Sequence, residues 1–244
     1  MEIRLHGPGE EPTPLVVTMR TPGNDFELAA GFLHTEGVLA VDDLDTIAYC
    51  LSGEGEQQYN VVTVRTRRPS AAAVSGRSFL STASCGVCGK GSLDEVAVRC
   101  EPVADGPVVA ASVIRSLPTT GVAAQRLFGQ TGGLHAAIRF TAAGELVEAR
   151  EDVGRHNALD KLVGHALLEH ELPLLNSVLF VSGRLSFELV QKAAVAGIPV
   201  LCAVSAPSSL AVATAERFGQ TLIGFLRGDR FNVYTHPERV DVDA

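Results

Sequence analysis

The chain has 244 residues, of which 46% are hydrophobic, and its formal net charge is −8. These values describe a globular protein with a sizeable core and argue against general binding to nucleic acid or an anionic membrane. No apolar run approaches the length of a membrane span. Residues 1–7 lack the layout of a secretion signal, and five cysteines are an odd number for a disulfide framework. We therefore expect a cytoplasmic protein.

The first half of the chain is predicted to form a small α+β unit. A helix is predicted from about residue 26 to 36, because Asn24 and Glu27 have capping-box spacing and Gly37 follows the last turn. Apolar residues alternate with polar ones or follow one another in short runs in four predicted strands: 2–6, 15–19, 47–51 and 59–64.

The stretch from 66 to 92 is predicted to be a long flexible crossing that carries a CxxC pair, Cys85 and Cys88. Glycines surround the pair, and Lys90 follows it. The turn signal Asp-Gly-Pro at 105–107 gives the best domain boundary. We therefore predict an N-terminal domain of residues 1–104 and a second domain of residues 105–244.

The second half alternates regularly between predicted strands and helices, which implies parallel neighbours with right-handed crossovers. We predict a three-layer α/β sandwich, with two strands joined by a tight turn at its start. The predicted strands are 134–140, 146–153, 177–181, 200–204 and 222–226, with an edge strand at 231–234. The predicted helices are 108–117, 123–128, one around 159–167, 187–196 and 210–218.

Ligands bind outside the carboxyl ends of the strands in an open α/β sheet. Arg155, Arg184, Arg227 and Arg230 all follow predicted strands, and three of the four segments lead into helix N-termini, which suit anions. For any single segment, a capping serine and a surface arginine explain the pattern. Together the four segments predict a phosphate-binding site that includes His156, whereas His135 is interpreted as a buried strand histidine.

The CxxC pair has several interpretations. A structural zinc site needs two more ligands at similar spacing, and no histidine lies near the pair in sequence. A thioredoxin-like pair is expected to follow a strand and open a helix. A sulfur carrier, whose thiolate holds a persulfide in a glycine-rich loop beside Lys90, also fits, and an idle exposed pair is the remaining interpretation.

Five segments in this order resemble the FdhD family, the formate dehydrogenase accessory sulfurtransferases. The segments are TPGNDFELAAGFLHTEG at 21–37, CGVCG at 85–89, TGGLHAA at 131–137, EDVGRHNALDK at 151–161 and SAPSSLA at 205–211. The resemblance extends over nearly the whole chain.

The resemblance implies a cytidine-deaminase-like fold for the second domain, and a homodimer. It implies that Cys85 carries a persulfide received from a cysteine desulfurase, with Cys88 as its partner. The acceptor would be the bis(molybdopterin guanine dinucleotide) cofactor of molybdenum or tungsten, delivered afterwards to formate dehydrogenase. The family's guanine-dinucleotide contact maps onto Phe225, Leu226, Arg227, Gly228, Asp229 and Arg230. We add His156 and Arg184 from the sheet edge as predicted cofactor contacts.

Two alternatives belong to other functional classes. A zinc deaminase would show H-x-E and P-C-x-x-C at two helix starts, but the chain has His156-Asn157-Ala158 and 182-SGRLS-186 there. We therefore expect no structural metal. A chaperone that binds the molybdenum cofactor without transferring sulfur is the second alternative.

Overall fold

The computed structural model describes residues 1–50, 59–70, 102–103 and 106–243. The first part of this region is an α+β unit, as predicted. Its sheet has the strand order β2-β1-β4-β3, with β1 parallel to β4 and the other pairs antiparallel. The elements are β1 (Glu2–His6), β2 (Thr13–Val17), α1 (Asp25–Thr35), β3 (Leu44–Tyr49) and β4 (Val61–Thr66).

The predicted capping box at the start of α1 is wrong. Asn24 has the left-handed conformation, with φ of 57°, instead of the extended conformation of a capping residue, and its side chain caps nothing. The two acidic residues that follow are taken by arginines. Asp25 accepts hydrogen bonds from Arg20 at 2.7 and 3.0 Å, and Glu27 accepts them from Arg150 at 2.6 and 3.0 Å.

The second part is built on a sheet with the strand order β11-β10-β9-β8-β6-β7. A short parallel pair, β5 with β12, lies apart from it. The elements are β5 (Val109–Ala110), α2 (Ala111–Ala124), α3 (Arg126–Thr131), β6 (His135–Thr141), β7 (Leu146–Asp152), α4 (Arg155–Leu168), β8 (Ser177–Val181), α5 (Phe187–Val195), β9 (Val200–Ala203), α6 (Ser209–Arg217), β10 (Thr221–Arg227), β11 (Arg230–Thr235) and β12 (Val240–Asp241).

Both faces of this sheet are covered, which confirms the three-layer sandwich. Successive residues of β8 point to opposite faces. Leu179 and Val181 pack with the apolar residues of α4, α5 and α6, whereas Val178 and Phe180 pack with those of α2. Every side chain of β8 is buried. The apolar run at 177–181 is therefore that of a central strand.

The first predicted helix of this half is shifted. Residues 109–110 pair with β12, and the helix runs from Ala111 to Ala124 through Pro118 instead of ending at 117. A proline inside a helix removes one backbone hydrogen bond. Packing against the sheet compensates, because Leu117 is fully buried and Gly121 lies against the Phe180 ring.

Strand directions decide where a site can form. β8, β9 and β10 are parallel, and β6 is antiparallel to both β8 and β7. The carboxyl ends of β7, β8, β9 and β10 and the beginning of β6 therefore lie together on one side of the sheet, which we call the carboxyl edge.

The two parts of the protein are joined by a close helix crossing. A Cβ atom built on Gly31 of α1 would lie 1.8 Å from the backbone oxygen of Asp160 in α4, and one on Gly164 would lie 1.8 Å from that of Glu27. Leu167 of α4 also belongs to the core of the first part. The predicted division at residue 104 stays a prediction. Among the described helices, none combines the length and apolar character needed to cross a membrane.

Candidate functional site

The loops at the carboxyl edge are linked to one another by backbone hydrogen bonds. The loops after β8 and β9 are joined by Ser208 N–H, which donates to Leu185 O at 3.0 Å. At the end of β10, Phe225 N–H donates to Ser205 O at 3.2 Å. The structure therefore brings together three segments that the sequence placed at one edge.

The hairpin between β10 and β11 holds the predicted nucleotide contacts. Phe225 has a φ of 52° and is 43% exposed, which is an unfavourable combination for an aromatic residue. Arg227 is exposed, and its Nε donates to Val204 O at 3.0 Å, which holds the guanidinium group beside the end of β9. The remaining exposed positions of the hairpin are Gly228, Asp229 and Arg230.

Leu226 differs from its neighbours in the hairpin. Its side chain is fully buried and packs in the core between the sheet and α2. A ligand at this position can therefore contact only the backbone of Leu226. The pairing of β10 with β11 shifts register between Gly224 and Arg227. This irregularity places Leu226 on the same face as Ile223, while Phe225 and Arg227 are exposed.

The start of α4 brings His156 beside the start of α5. His156 Nε2 lies 3.1 Å from Ser186 Oγ and 3.9 Å from a carboxylate oxygen of Glu188. Ser186 occupies the capping position of α5, but its hydroxyl makes no capping hydrogen bond. By contrast, Ser208 does cap α6 through Ala211 N–H. Of the two serines, only Ser208 therefore acts as a helix cap.

Two arginines at this edge have side-chain groups that find no partner among the described residues. The Nε of Arg155 is buried and has no hydrogen-bond partner among the described residues. Arg184 is exposed and makes no hydrogen bond or ion pair with the residues that the structure describes. A buried unpaired N–H group is costly, so a ligand acceptor at Arg155 would remove a penalty.

Burial, assisted by the positive charge of Arg155, lowers the pKa of His156 to about 3. The pKa of a histidine in the unfolded chain is ~6.5, so the unfolded chain takes up the proton before the folded protein does as the pH falls. We expect His156 to contribute a loss of about 2 kcal/mol of stability between pH 7.5 and pH 5. Urea unfolding of the wild type and His156→Gln at both pH values measures this contribution. An equal pH dependence in both proteins would contradict it.

His135 is a strand residue, as predicted, but its predicted burial is only partly met. His135 begins β6 and is half-buried, and its ring lines a cavity of about 420 Å³. Burial and the charge of Arg155 lower its pKa. The other lining residues are Pro118, Val122, Gln125, Phe128, Gly132, Gly133, Leu134, Phe180, Ser182 and Val204. The sequence contains one signal for this cavity, the pair Gly132 and Gly133 before the strand, because glycine has no side chain to fill the space beside the backbone.

Other residues of the same motifs hold the two parts of the protein together. Asp152 and Lys161 form a buried ion pair of 2.8 Å. Thr21 N–H donates to Asp152 at 3.0 Å, and the Lys161 ammonium donates to Thr21 O at 2.9 Å. The segments 21–37 and 151–161 are therefore in direct contact. Asp152 and Lys161 stabilise this contact between the two parts of the protein.

The cysteines divide into two groups. Cys85, Cys88 and Cys100 lie outside the described residues, so the position of the CxxC pair relative to the carboxyl edge stays a prediction. Cys202 is fully buried in the core, and burial raises the pKa of its thiol, which agrees with its interpretation as a small apolar residue. Cys50 is half-buried. Within the described residues, no three His, Cys, Asp or Glu side chains are grouped to hold a metal ion.

Comparison with known proteins gives consistent matches over the whole chain. The FdhD/NarQ family model matches residues 5–241. The chain is 55% identical over 254 residues to the sulfur carrier protein FdhD of Streptomyces coelicolor, covering 100% of this chain and 88% of that protein. It is 50% identical over 251 residues to the sulfur carrier protein FdhD of Mycobacterium tuberculosis, covering 98% and 89%.

A solved structure shares the fold. It is the crystal structure of a protein from Desulfotalea psychrophila assigned as a formate dehydrogenase accessory protein. The TM-score is 0.72 at 26% sequence identity, and the match covers 99% of this chain and 89% of the other. The predicted mixed α/β fold is confirmed by this likeness.

Proposed function

The chain belongs to the FdhD/NarQ family, and from this premise we propose that it is a sulfur carrier that serves formate dehydrogenase. The names of its relatives support the general role. The strongest structural support for the proposal is that three loops and the start of α4 converge at the carboxyl edge. A sulfur carrier needs an acceptor site, and this edge offers one.

The proposed transfer uses both cysteines of the CxxC pair. The Cys85 thiolate attacks the outer sulfur of the persulfide on a cysteine desulfurase, and the donor cysteine leaves as a thiolate. For release, the Cys88 thiolate attacks the Cys85 sulfur, the sulfur–sulfur bond breaks, and hydrosulfide leaves for the acceptor. The two thiols supply the two electrons and become a disulfide, which a cellular thiol reductant reopens.

The proposed acceptor substrate is the bis(molybdopterin guanine dinucleotide) cofactor of molybdenum. Arg227 and Arg230 are exposed cations suited to its diphosphates. Phe225, held in a strained and exposed conformation, offers a surface on which a guanine ring can stack. The buried Nε of Arg155, which has no partner among the described residues, is a donor that fits an anionic group, and His156 and Arg184 border the same edge.

The proposed partners follow from this relay. A cysteine desulfurase donates the sulfur, and the catalytic subunit of formate dehydrogenase receives the finished cofactor. We also propose a cytoplasmic homodimer.

Intact mass spectrometry tests the relay. After incubation with a cysteine desulfurase and cysteine, the wild type is expected to gain the mass of one sulfur atom, and Cys85→Ser is expected to gain none. Cys50→Ser is the control and is expected to keep the adduct. An adduct that persists in Cys85→Ser would contradict the proposed role of Cys85 as the persulfide carrier. Formate dehydrogenase maturation that survives the same substitution would favour a cofactor chaperone instead.

A further inference from the structure

The carboxyl edge has two chemically different halves. The hairpin at 225–230 is exposed and carries two arginines. Among the described residues that line the cavity beside His135, none is Asp, Glu, Lys or Arg. A ligand that covers both halves therefore needs an anionic part and a neutral part.

The two halves adjoin each other at Val204. This residue lines the cavity, and its backbone oxygen accepts the hydrogen bond from Arg227 Nε. One ligand can therefore reach from the cavity to the hairpin.

The cavity contains several polar groups with unused hydrogen-bonding capacity. The Gln125 side chain is 7% exposed, and its amide nitrogen donates to Gly121 O at 3.1 Å, which leaves its oxygen as an acceptor unpaired among the described residues. Ser182 Oγ accepts Ala136 N–H at 2.9 Å, so its own O–H is available as a donor. The His135 ring makes no hydrogen bond with a described residue and adds one donor and one acceptor in its neutral form.

Size and wall chemistry narrow the ligand further. A volume of about 420 Å³ falls in the range of small-molecule pockets. The rings of Phe128 and Phe180 and the side chains of Pro118 and Val122 supply apolar walls. These features suit a flat, uncharged bicyclic ring with hydrogen-bonding groups at its edge.

We propose that this cavity receives a pterin ring of the cofactor while the guanine nucleotide lies on the hairpin at 225–230. The inference rests on the proposed function. A guanine ring has a similar hydrogen-bonding edge, but the exposed Phe225 already offers it a stacking surface beside Arg227 and Arg230. The cavity is then available for the pterin ring at the other end of the cofactor.

Two titrations of the full-length protein test this assignment, one with free pterin followed by its fluorescence and one with GDP followed by calorimetry. The wild type is expected to bind both probes at once. His135→Ala removes a hydrogen-bonding group, and Gly133→Leu fills the cavity. A Cβ on Gly133 comes no closer than 3.9 Å to Thr131 O, so the backbone accommodates it. Each variant is expected to weaken pterin binding about tenfold and leave GDP binding unchanged.

The opposite pattern is expected for Arg230→Ala, which should weaken GDP binding and leave pterin binding unchanged. His6→Ala, at the end of β1, is the control for both probes. Competition between GDP and pterin, or an equal effect of His135→Ala on both, would place guanine in the cavity and overturn the assignment. A wild type that binds GDP but no pterin would also overturn it and leave the sulfur-carrier function standing. Absence of both GDP binding and the persulfide adduct would overturn that function itself.

Discussion

Replacing Lys192 with methionine is expected to lower the free energy of unfolding by about 3–5 kcal/mol, the usual cost of removing one partner from a buried ion pair. The Lys192 ammonium lies 2.9 and 3.1 Å from the Asp160 carboxylate, 2.8 Å from Thr35 Oγ1 and 3.0 Å from Glu36. Burial by itself lowers the pKa of Lys192, but the two carboxylates outweigh it and raise the pKa above its ordinary value. Burial already raises the pKa of Asp160, so without the cation this carboxyl must either carry an uncompensated buried charge or take up a proton, and both cost stability.

Urea unfolding at neutral pH measures this loss. Arg68→Met is the matched control, because the Arg68 side chain is 60% exposed and pairs with the exposed Asp42 at 2.7 Å and with Asp43 at 3.2 Å. Exposed pairs contribute about 0–1 kcal/mol, so this variant should stay close to the wild type. The double variant Asp160→Asn/Lys192→Met removes both buried charges and is expected to recover part of the loss. Equal effects of Lys192→Met and Arg68→Met would show that burial of the pair has no energetic consequence.

This buried pair also shows what a hydrophobic pattern leaves out. The apolar stripe at 159, 162, 163, 166 and 167 predicts the helix α4 and the face that packs on the sheet. Asp160 lies outside that stripe, so the hydrophobic pattern predicts that its side chain is exposed to solvent. It is buried because α1 and α5 cover a second face of α4, and only the tertiary structure shows this.

Local signals predicted the central strands well. The run at 177–181 gives β8 with the same bounds, because a strand buried on both faces is a continuous apolar run ended by polar residues and glycine. The strand at 109–110 could not be predicted, since its pairing partner β12 lies about 130 residues away in sequence. The left-handed conformation of Asn24 was not predicted either. The acidic residues after it bind Arg20 and Arg150, and neither arginine belongs to the capping-box pattern.

The candidate site was predictable to the extent that it depends on parallel strands. The loops after β8, β9 and β10 meet because the carboxyl ends of parallel strands share an edge. His135 was missed because β6 runs the other way, so its first residue, not its last, reaches this edge. Leu226 was included because the motif covers consecutive residues, whereas the irregular end of β10 exposes Phe225 and Arg227 and buries Leu226 between them.

The substitution Gly31→Ala is expected to destabilise the protein by about 3 kcal/mol or more, at or above the upper end of the usual cost of overpacking. The new methyl group would lie 1.8 Å from Asp160 O, and that oxygen belongs to the backbone of α4 and cannot rotate away. The helices must separate, which weakens the hydrogen bond of 2.7 Å from Thr35 Oγ1 to Asp160. Alanine favours a helix over glycine by about 1 kcal/mol, too little to offset the clash.

Gly164→Ala should have a similar effect, because a Cβ there lies 1.8 Å from Glu27 O on the other side of the same crossing. Gly129→Ala is the matched control, since no atom of the described residues lies within 4 Å of the methyl group added to that helical glycine. It should leave stability unchanged or raise it slightly, by up to about 1 kcal/mol. Chemical denaturation of the three variants separates clash from helix propensity, because propensity acts in the same direction at all three positions. If Gly31→Ala and Gly129→Ala have the same effect, α1 and α4 are not in close backbone contact.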